Sequence, residues 1–174
     1  MRLWKPKRGL RRWGIEMTPQ QLNELRIDVL GNPDTLALYN AGDRAGLADA
    51  YNAPASPAYW AWRKQVSREE FEEDDAFNWT VVDNLSTGSK YRIWEWMFGS
   101  KGYINPSKAN IRAGIAAAWV GNAQLLAVQA VVLAKCKRQA LRVEKVFATG
   151  LGTSANPSVL GYEGSVTPET FIDV

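Results

Sequence analysis

From Ala113 to Ala134 the chain runs for 22 residues without a formal charge, flanked by Arg112 and Lys135. No other stretch restricts the fold as much, because so long an uncharged run is expected inside a protein core or in lipid. Length alone allows a membrane span. However, eight of the 22 residues are alanine and two are glycine, and Asn122, Gln124 and Gln129 fall near the middle, where each would need an internal partner in lipid. The expectation is a soluble helical core and no membrane partner.

Periodicity extends the same region. Asn105 and Pro106 suit an N-cap and a first helical position. Ile111, Ile115 and Trp119 recur every four residues, and Gly121 and Asn122 offer a stop and a fresh cap. Beyond them Leu125, Val128, Val132, Cys136, Ala140, Val143 and Phe147 step by three or four up to Gly150. The pattern predicts two central helices, about 106–120 and 123–149, in a mainly α, single-domain bundle. Leu126, Val131 and Leu133 make the second helix apolar almost all round in its first half, which places it at the buried centre.

Shorter helices are expected before these two. Thr18-Pro-Gln-Gln21 reads as a capping box opening a helix with Leu22, Leu25, Val29 and Leu30 on its apolar face, and Gly31-Asn-Pro-Asp34 reads as its terminator. Leu36 to Tyr51 carries two apolar runs parted by Ala41-Gly-Asp43, with few β-branched residues, so two short helices are expected. Ala53 to Pro57 is an extended connector leading to Tyr59, Trp60 and Trp62. Ser67-Arg-Glu-Glu70 is a second capping box. Trp79 to Leu85 and Tyr91 to Phe98 flank a turn at Ser86 to Ser89, the latter as an apolar helix. After Gly150 the chain is rich in Gly, Ser, Asn and Pro, so residues 151–174 are expected as an extended tail outside the core, with at most a short β segment at Val159 to Tyr162.

The chain has no histidine, which removes histidine-based triads and the commonest zinc ligand. Its one cysteine, Cys136, lies on the apolar stripe and reads as a small buried hydrophobe rather than a reactive thiol. Glu69, Glu70, Glu72, Glu73, Asp74 and Asp75 form an acidic run. A calcium loop would space its ligands by two around a glycine, which this run lacks, so a solvated or partner-facing acidic surface is the better reading. Gly88-Ser-Lys90 lacks the first glycine of a phosphate loop, and no Gly-x-Ser-x-Gly elbow exists. No enzyme, cofactor or metal is expected.

The net charge of +3 is uneven: residues 1–16 carry Arg2, Lys5, Lys7, Arg8, Arg11 and Arg12 against Glu16, leaving the body nearly neutral. These residues are expected as a flexible basic arm ahead of a helical domain at 17–150. Interleaved with Trp4 and Trp13, the six basic groups are the candidate nucleic-acid contacts. Trp60 and Trp62, with the six acids of residues 69–75, are the candidate interface. Ten bases between Lys90 and Lys145 face only Glu95 and Glu144, and such segregation of charge suits head-to-tail contacts that close into a ring.

Met17-Thr-Pro-Gln-Gln-Leu22, Trp79 to Leu85 with its Asp83-Asn-Leu, Ile93-Trp-Glu-Trp96, Ile104-Asn-Pro-Ser-Lys-Ala-Asn110 and Phe147-Ala-Thr-Gly150 together resemble a small protein of the structural-gene modules of tailed bacteriophages and prophages. The resemblance covers most of residues 17–174. It implies a virion protein of the head-to-tail junction, a neck or adaptor type, assembled in the bacterial cytoplasm as a homo-oligomer on the portal or other neck proteins. The alternative is a DNA-binding protein such as a small packaging subunit. It would use the two central helices as a helix-turn-helix and the basic arm as a phosphate clamp.

Overall fold

The computed structural model describes residues 17–76, 99–172 and 174. The basic arm at 1–16, with Arg2, Lys5, Lys7, Arg8, Arg11 and Arg12, and the segments read around Ser86 to Ser89 lie outside the described residues.

Local capping accounts for the first three helices. Helix α1 (Pro19–Gly31) opens on the expected box: the Gln21 N–H donates to Thr18 Oγ1 at 3.2 Å, and the Thr18 N–H donates to Gln21 Oε1 at 2.9 Å. The predicted terminator is also a starter. Asn32 ends α1 and caps α2 (Pro33–Asn40), its side chain accepting from the N–H groups of Asp34 and Thr35. Asp43 caps α3 (Arg44–Asn52) by accepting from the Gly46 N–H at 2.9 Å. The two short helices expected between Leu36 and Tyr51 are α2 and α3.

Strand β1 (Trp60–Trp62) follows the connector, and β2 (Val66–Ser67) pairs antiparallel with β3 (Tyr103–Ile104). Between β2 and β3, the Ser67–Glu70 box opens α4 (Glu69–Glu72), and a 3-10 turn spans Gly99–Lys101. Helix α5 (Ala109–Ala118) starts three residues later than predicted, because the Asn105 side chain accepts from the backbone and hydroxyl of Ser107 and makes a turn ahead of the helix. Gly121, at φ 124°, turns the chain where a side chain would be strained. Asn122 then caps α6 (Ala123–Lys135) as expected, accepting from the Leu125 N–H at 2.9 Å.

The predicted helix over 123–149 is not one element. It stops at Cys136 and gives way to β4 (Lys137–Gln139), α7 (Arg142–Val146) and β5 (Ala148–Thr149). Strand β4 pairs antiparallel with β1, Trp60 opposite Gln139 and Trp62 opposite Lys137. The backbone leaves the helix because its hydrogen bonds find other partners: the Ala140 N–H donates to the Tyr59 carbonyl at 2.8 Å, and the Leu141 N–H to Glu144 Oε2 at 2.8 Å. Cys136, Ala140, Val143 and Phe147 are all buried, so the apolar period survives while different elements bury each residue.

Two further expectations are corrected. Helix α6 does not sit at the buried centre, since Ala123, Leu126, Ala127, Ala130 and Ala134 are exposed. Its buried residues are Leu125, Val128 and Val132, with Val131 and Leu133 packed half-buried against the same cluster. Nor is the segment 151–174 a tail outside the core. Strand β6 (Val159–Leu160) pairs with β5, a 3-10 helix at Pro168–Ile172 follows, and Leu160, Tyr162, Val166, Phe171 and Val174 are buried. The Asn52 side chain holds this segment like a strand partner, donating to the Val166 carbonyl and accepting from the Val166 N–H, both at 2.8 Å.

Two apolar clusters result. One gathers Leu25, Val29, Leu47, Ala48 and Tyr51 with Val143, Phe147 and the C-terminal segment. The other gathers Val66, Phe71 and Ile104 with Ile115, Trp119, Leu125, Val128, Val132 and Cys136. Ala61, Ala140 and Leu160 form a small patch where β1, β4 and β6 meet. The described residues are thus mainly helical with short antiparallel strands.

Candidate interaction surface

The acidic run does not stand free as a continuous surface. Glu70 takes both Arg63 guanidinium nitrogens, one of which also donates to the Lys135 carbonyl at 3.2 Å. Burial would raise the Glu70 carboxyl, but Arg63 and the Ser67 N–H outweigh it and hold the group below its ordinary range. Asp74 pairs with Lys135 Nζ at 2.8 Å. Glu69, Glu73 and Asp75 are exposed. The Glu72 side chain lies outside what is described.

Among the bases, Arg112 fares similarly. Arg112 donates to the carbonyls of Pro106 and Ser107 and lies 5.0 Å over the Trp62 ring. Trp62 packs against the α5–α6 cluster, so it is an internal contact as much as an anchor. Trp60 is half-buried, with its N–H and carbonyl bound to the Gly152 carbonyl and the Ser158 N–H. Gly152 is confined there: a Cβ on it would lie 2.0 Å from the Tyr59 ring.

A buried ionic knot ties the second half of the chain together. Glu144, 1% exposed, takes both guanidinium nitrogens of Arg138 at 2.7 Å and the N–H groups of Leu141 and Gly164. Arg138 reaches Glu163 at 3.0 Å, and Lys64 lies 3.7 Å from Glu163. Burial would raise the Glu144 carboxyl, yet Arg138 and the two N–H donors together lower it. Helical spacing carries no sign of this knot. The only local cue is Glu144 three residues after Leu141, the residue at the N-cap of α7.

An open groove of about 820 Å³ runs between α1, the 53–56 connector and α7, lined by Glu24, Asp28, Asn32, Ser56, Arg142 and Lys145 among others. Two of its charged groups, Asp28 and Arg142, are engaged within the chain. The Tyr51 hydroxyl donates to Asp28 Oδ2 at 2.6 Å, and Arg142 lies 4.7 Å over the Tyr51 ring and 3.5 Å from Asp28. Burial and Asp28 push the Tyr51 phenol up, so it stays protonated and cannot serve as a base. Burial pushes the Cys136 thiol up to about 12, as suits an inert core residue. Among the described residues no group of three or more His, Cys, Asp or Glu side chains is arranged to hold a metal ion.

What remains is the outer side of the α5–α6 hairpin. Both helices turn their buried residues to the same cluster, so their exposed sides lie together: Ala113, Ala116, Ala117 and Val120 from the first, and Ala123, Leu126, Ala127, Ala130 and Ala134 from the second. Val120 is 53% and Leu126 50% exposed. Gln129 joins the helices by donating to the carbonyls of Ala116 at 3.2 Å and Trp119 at 3.1 Å. Among the described residues no helix is long and apolar enough to cross a membrane, because the turn at Trp119 to Asn122 splits the uncharged run in two. The exposed start of α6, Ala123-Gln-Leu-Leu126, offers a base edge only one hydrogen-bonding side chain. The uncharged run itself was visible in the sequence. Its exposure was not, since alanine fits a core and a surface equally well.

Comparison with family models, with curated proteins and with solved structures returns no match for this chain.

Proposed function

We propose that the protein is a structural component of a tailed-phage virion near the head-to-tail junction, acting by assembly with itself and with portal or neck proteins and not by catalysis. Two things support this reading. One is the resemblance of most of residues 17–174 to proteins of phage structural modules. The other, which carries it, is the uncharged outer side of the α5–α6 hairpin, since contiguous exposed apolar surface marks contact sites. The engaged charges shift the expected driving force. Glu70 and Asp74 are bound to Arg63 and Lys135 of their own chain, so an acidic-to-basic ring contact keeps only Glu69, Glu73 and Asp75 on the described acidic side.

Negative-stain imaging of the purified protein, alone and with a tailed-phage portal protein, tests the reading. Added density on the portal is expected. A bare portal together with a strict monomer would overturn it. A gel-shift titration covers the DNA alternative: binding that fades steeply with salt and disappears when residues 1–16 are removed would replace assembly with a DNA-binding role.

A further inference from the structure

We infer that residues Tyr162 to Val174 form a strap that opens as a unit in acid, with Glu144 as its clasp, while the rest of the fold stays closed. The inference is independent of the assembly reading above. Construction comes first. Apart from the 3-10 helix at Pro168–Ile172 the strap has no regular structure among its described residues, and its backbone is held to the rest of the chain through side chains. The Gly164 N–H donates to Glu144 Oε1 at 3.0 Å, and the Val166 N–H and carbonyl both pair with Asn52. Four apolar side chains are buried along it, Tyr162, Val166, Phe171 and Val174, with Phe171 against Tyr51 and Tyr162 against Phe147. So sparse a set on an irregular segment offsets little more than the entropy of ordering it, which leaves the polar holds to decide whether the strap stays down. Its hinge is Gly161, whose N–H donates to the Phe147 carbonyl at 3.0 Å beside the β5–β6 pairing.

Glu144 is where a proton acts. Its donors come from three elements: both guanidinium nitrogens of Arg138 on β4, the Leu141 N–H at the start of α7 and the Gly164 N–H of the strap. The other titratable or charged groups around it are Glu163 and Tyr162 of the strap, with Lys64 beyond Glu163; Arg142 and Lys145 of α7 line the groove instead. Burial and Glu144 push the Tyr162 phenol up, so it stays neutral in acid and keeps its hydrogen bond to the Ser165 carbonyl. A protonated Glu144 keeps its bulk but loses the charge that binds Arg138 and gives up an acceptor, so the clasp weakens toward β4 and toward the strap together. The Glu144 carboxyl lies below its ordinary 4.5 in the fold. The opening constant should therefore rise by up to about tenfold per pH unit as pH falls from the ordinary to the folded value, and level off below it.

Amide hydrogen exchange of the full chain from pH about 7 to about 3, with protection corrected for the pH dependence of free-chain exchange, tests this. In wild type the amides of Gly164 and Val166 should lose protection in that manner, while those of Val128 and Val132 in α6 keep theirs. Glu144→Gln should show an open strap already at neutral pH, with no further change in acid. Glu163→Gln should extend the rise to lower pH before it levels off, because Arg138 then serves Glu144 alone. A wild-type strap that stays protected throughout, or one that loses protection only together with α6, would overturn the inference. So would a Glu144→Gln strap that still opens in acid as wild type does. Where Glu144→Gln does not fold, Glu163→Gln decides, since an acid dependence that vanishes in it makes Glu163 the clasp and sinks the assignment to Glu144.

Discussion

The α1–α3 half and the α5–α6 half of the molecule reach order by different routes. In the first, side chains cap successive helix starts at Thr18, Asn32 and Asp43, and the C-terminal segment folds back over α3 and is held by Asn52. Its exposed apolar residues, such as Ile27 and Leu30, sit among charged neighbours such as Arg26 and Asp28. In the second, a hairpin buries one side and leaves the other uncharged. The contrast shows what alanine permits. High helix propensity stabilises α5 and α6 without burial of a full circumference, so the free side need carry neither charge nor bulk and remains available for contact.

The most disruptive way to break the contrast is at the inner side of the hairpin. Val132→Asp places an unpaired charge at a fully buried position and should cost about 4 kcal/mol or more, unfolding the whole protein because β1–β4 pairing joins the two halves. Circular dichroism and limited proteolysis would show it. A variant in which α1–α3 stays protected would prove the halves independent. Glu144→Gln is next, at about 3 kcal/mol, since it leaves Arg138 without its buried partner. Its sign with pH follows from the lowered carboxyl. The contribution is present above the ordinary value of 4.5 and is lost as pH falls through the lower folded value. Urea titrations should thus show the gap between wild type and Glu144→Gln closing on acidification and not at alkaline pH.

Asn52→Ala removes both hydrogen bonds to Val166 and should cost about 2 kcal/mol. Protease cleavage near Gly164 should rise before the rest of the chain is attacked. Smallest is Thr18→Ala, about 1 kcal/mol from loss of a cap, read as a shift in thermal midpoint. An equal effect from Asn122→Ala would sharpen the comparison, because it would show that the second half depends on capping as much as the first.

Those caps were legible because they are local: Thr18 with Gln21, and Asn122 with Leu125, lie three residues apart. The break after Cys136 was not. Its cause lies in pairing with Trp60–Trp62 and in Glu144, while the apolar spacing runs on unchanged across strand and helix. Residues 151–174 misled for the opposite reason. Tyr162, Val166, Phe171 and Val174 are too sparse among Gly, Ser and Pro to form a period, yet all four join the cluster of Leu25, Leu47, Tyr51 and Val143. The hairpin was visible as an uncharged run, but whether one side stays open depends on what the other elements leave uncovered.

Cys136 gives the second half a built-in clock. It is the chain's one thiol, it is 0% exposed, and it sits where α6 ends and β4 begins. An aromatic disulfide reagent can reach it only in molecules that have opened at that junction, so its labelling rate is the open fraction multiplied by the rate of a free thiol. Followed across urea concentrations, that rate separates two kinds of opening. A rate that rises in step with global unfolding means the junction yields only with the whole fold, and a rate that is high and insensitive to urea means the hairpin detaches locally.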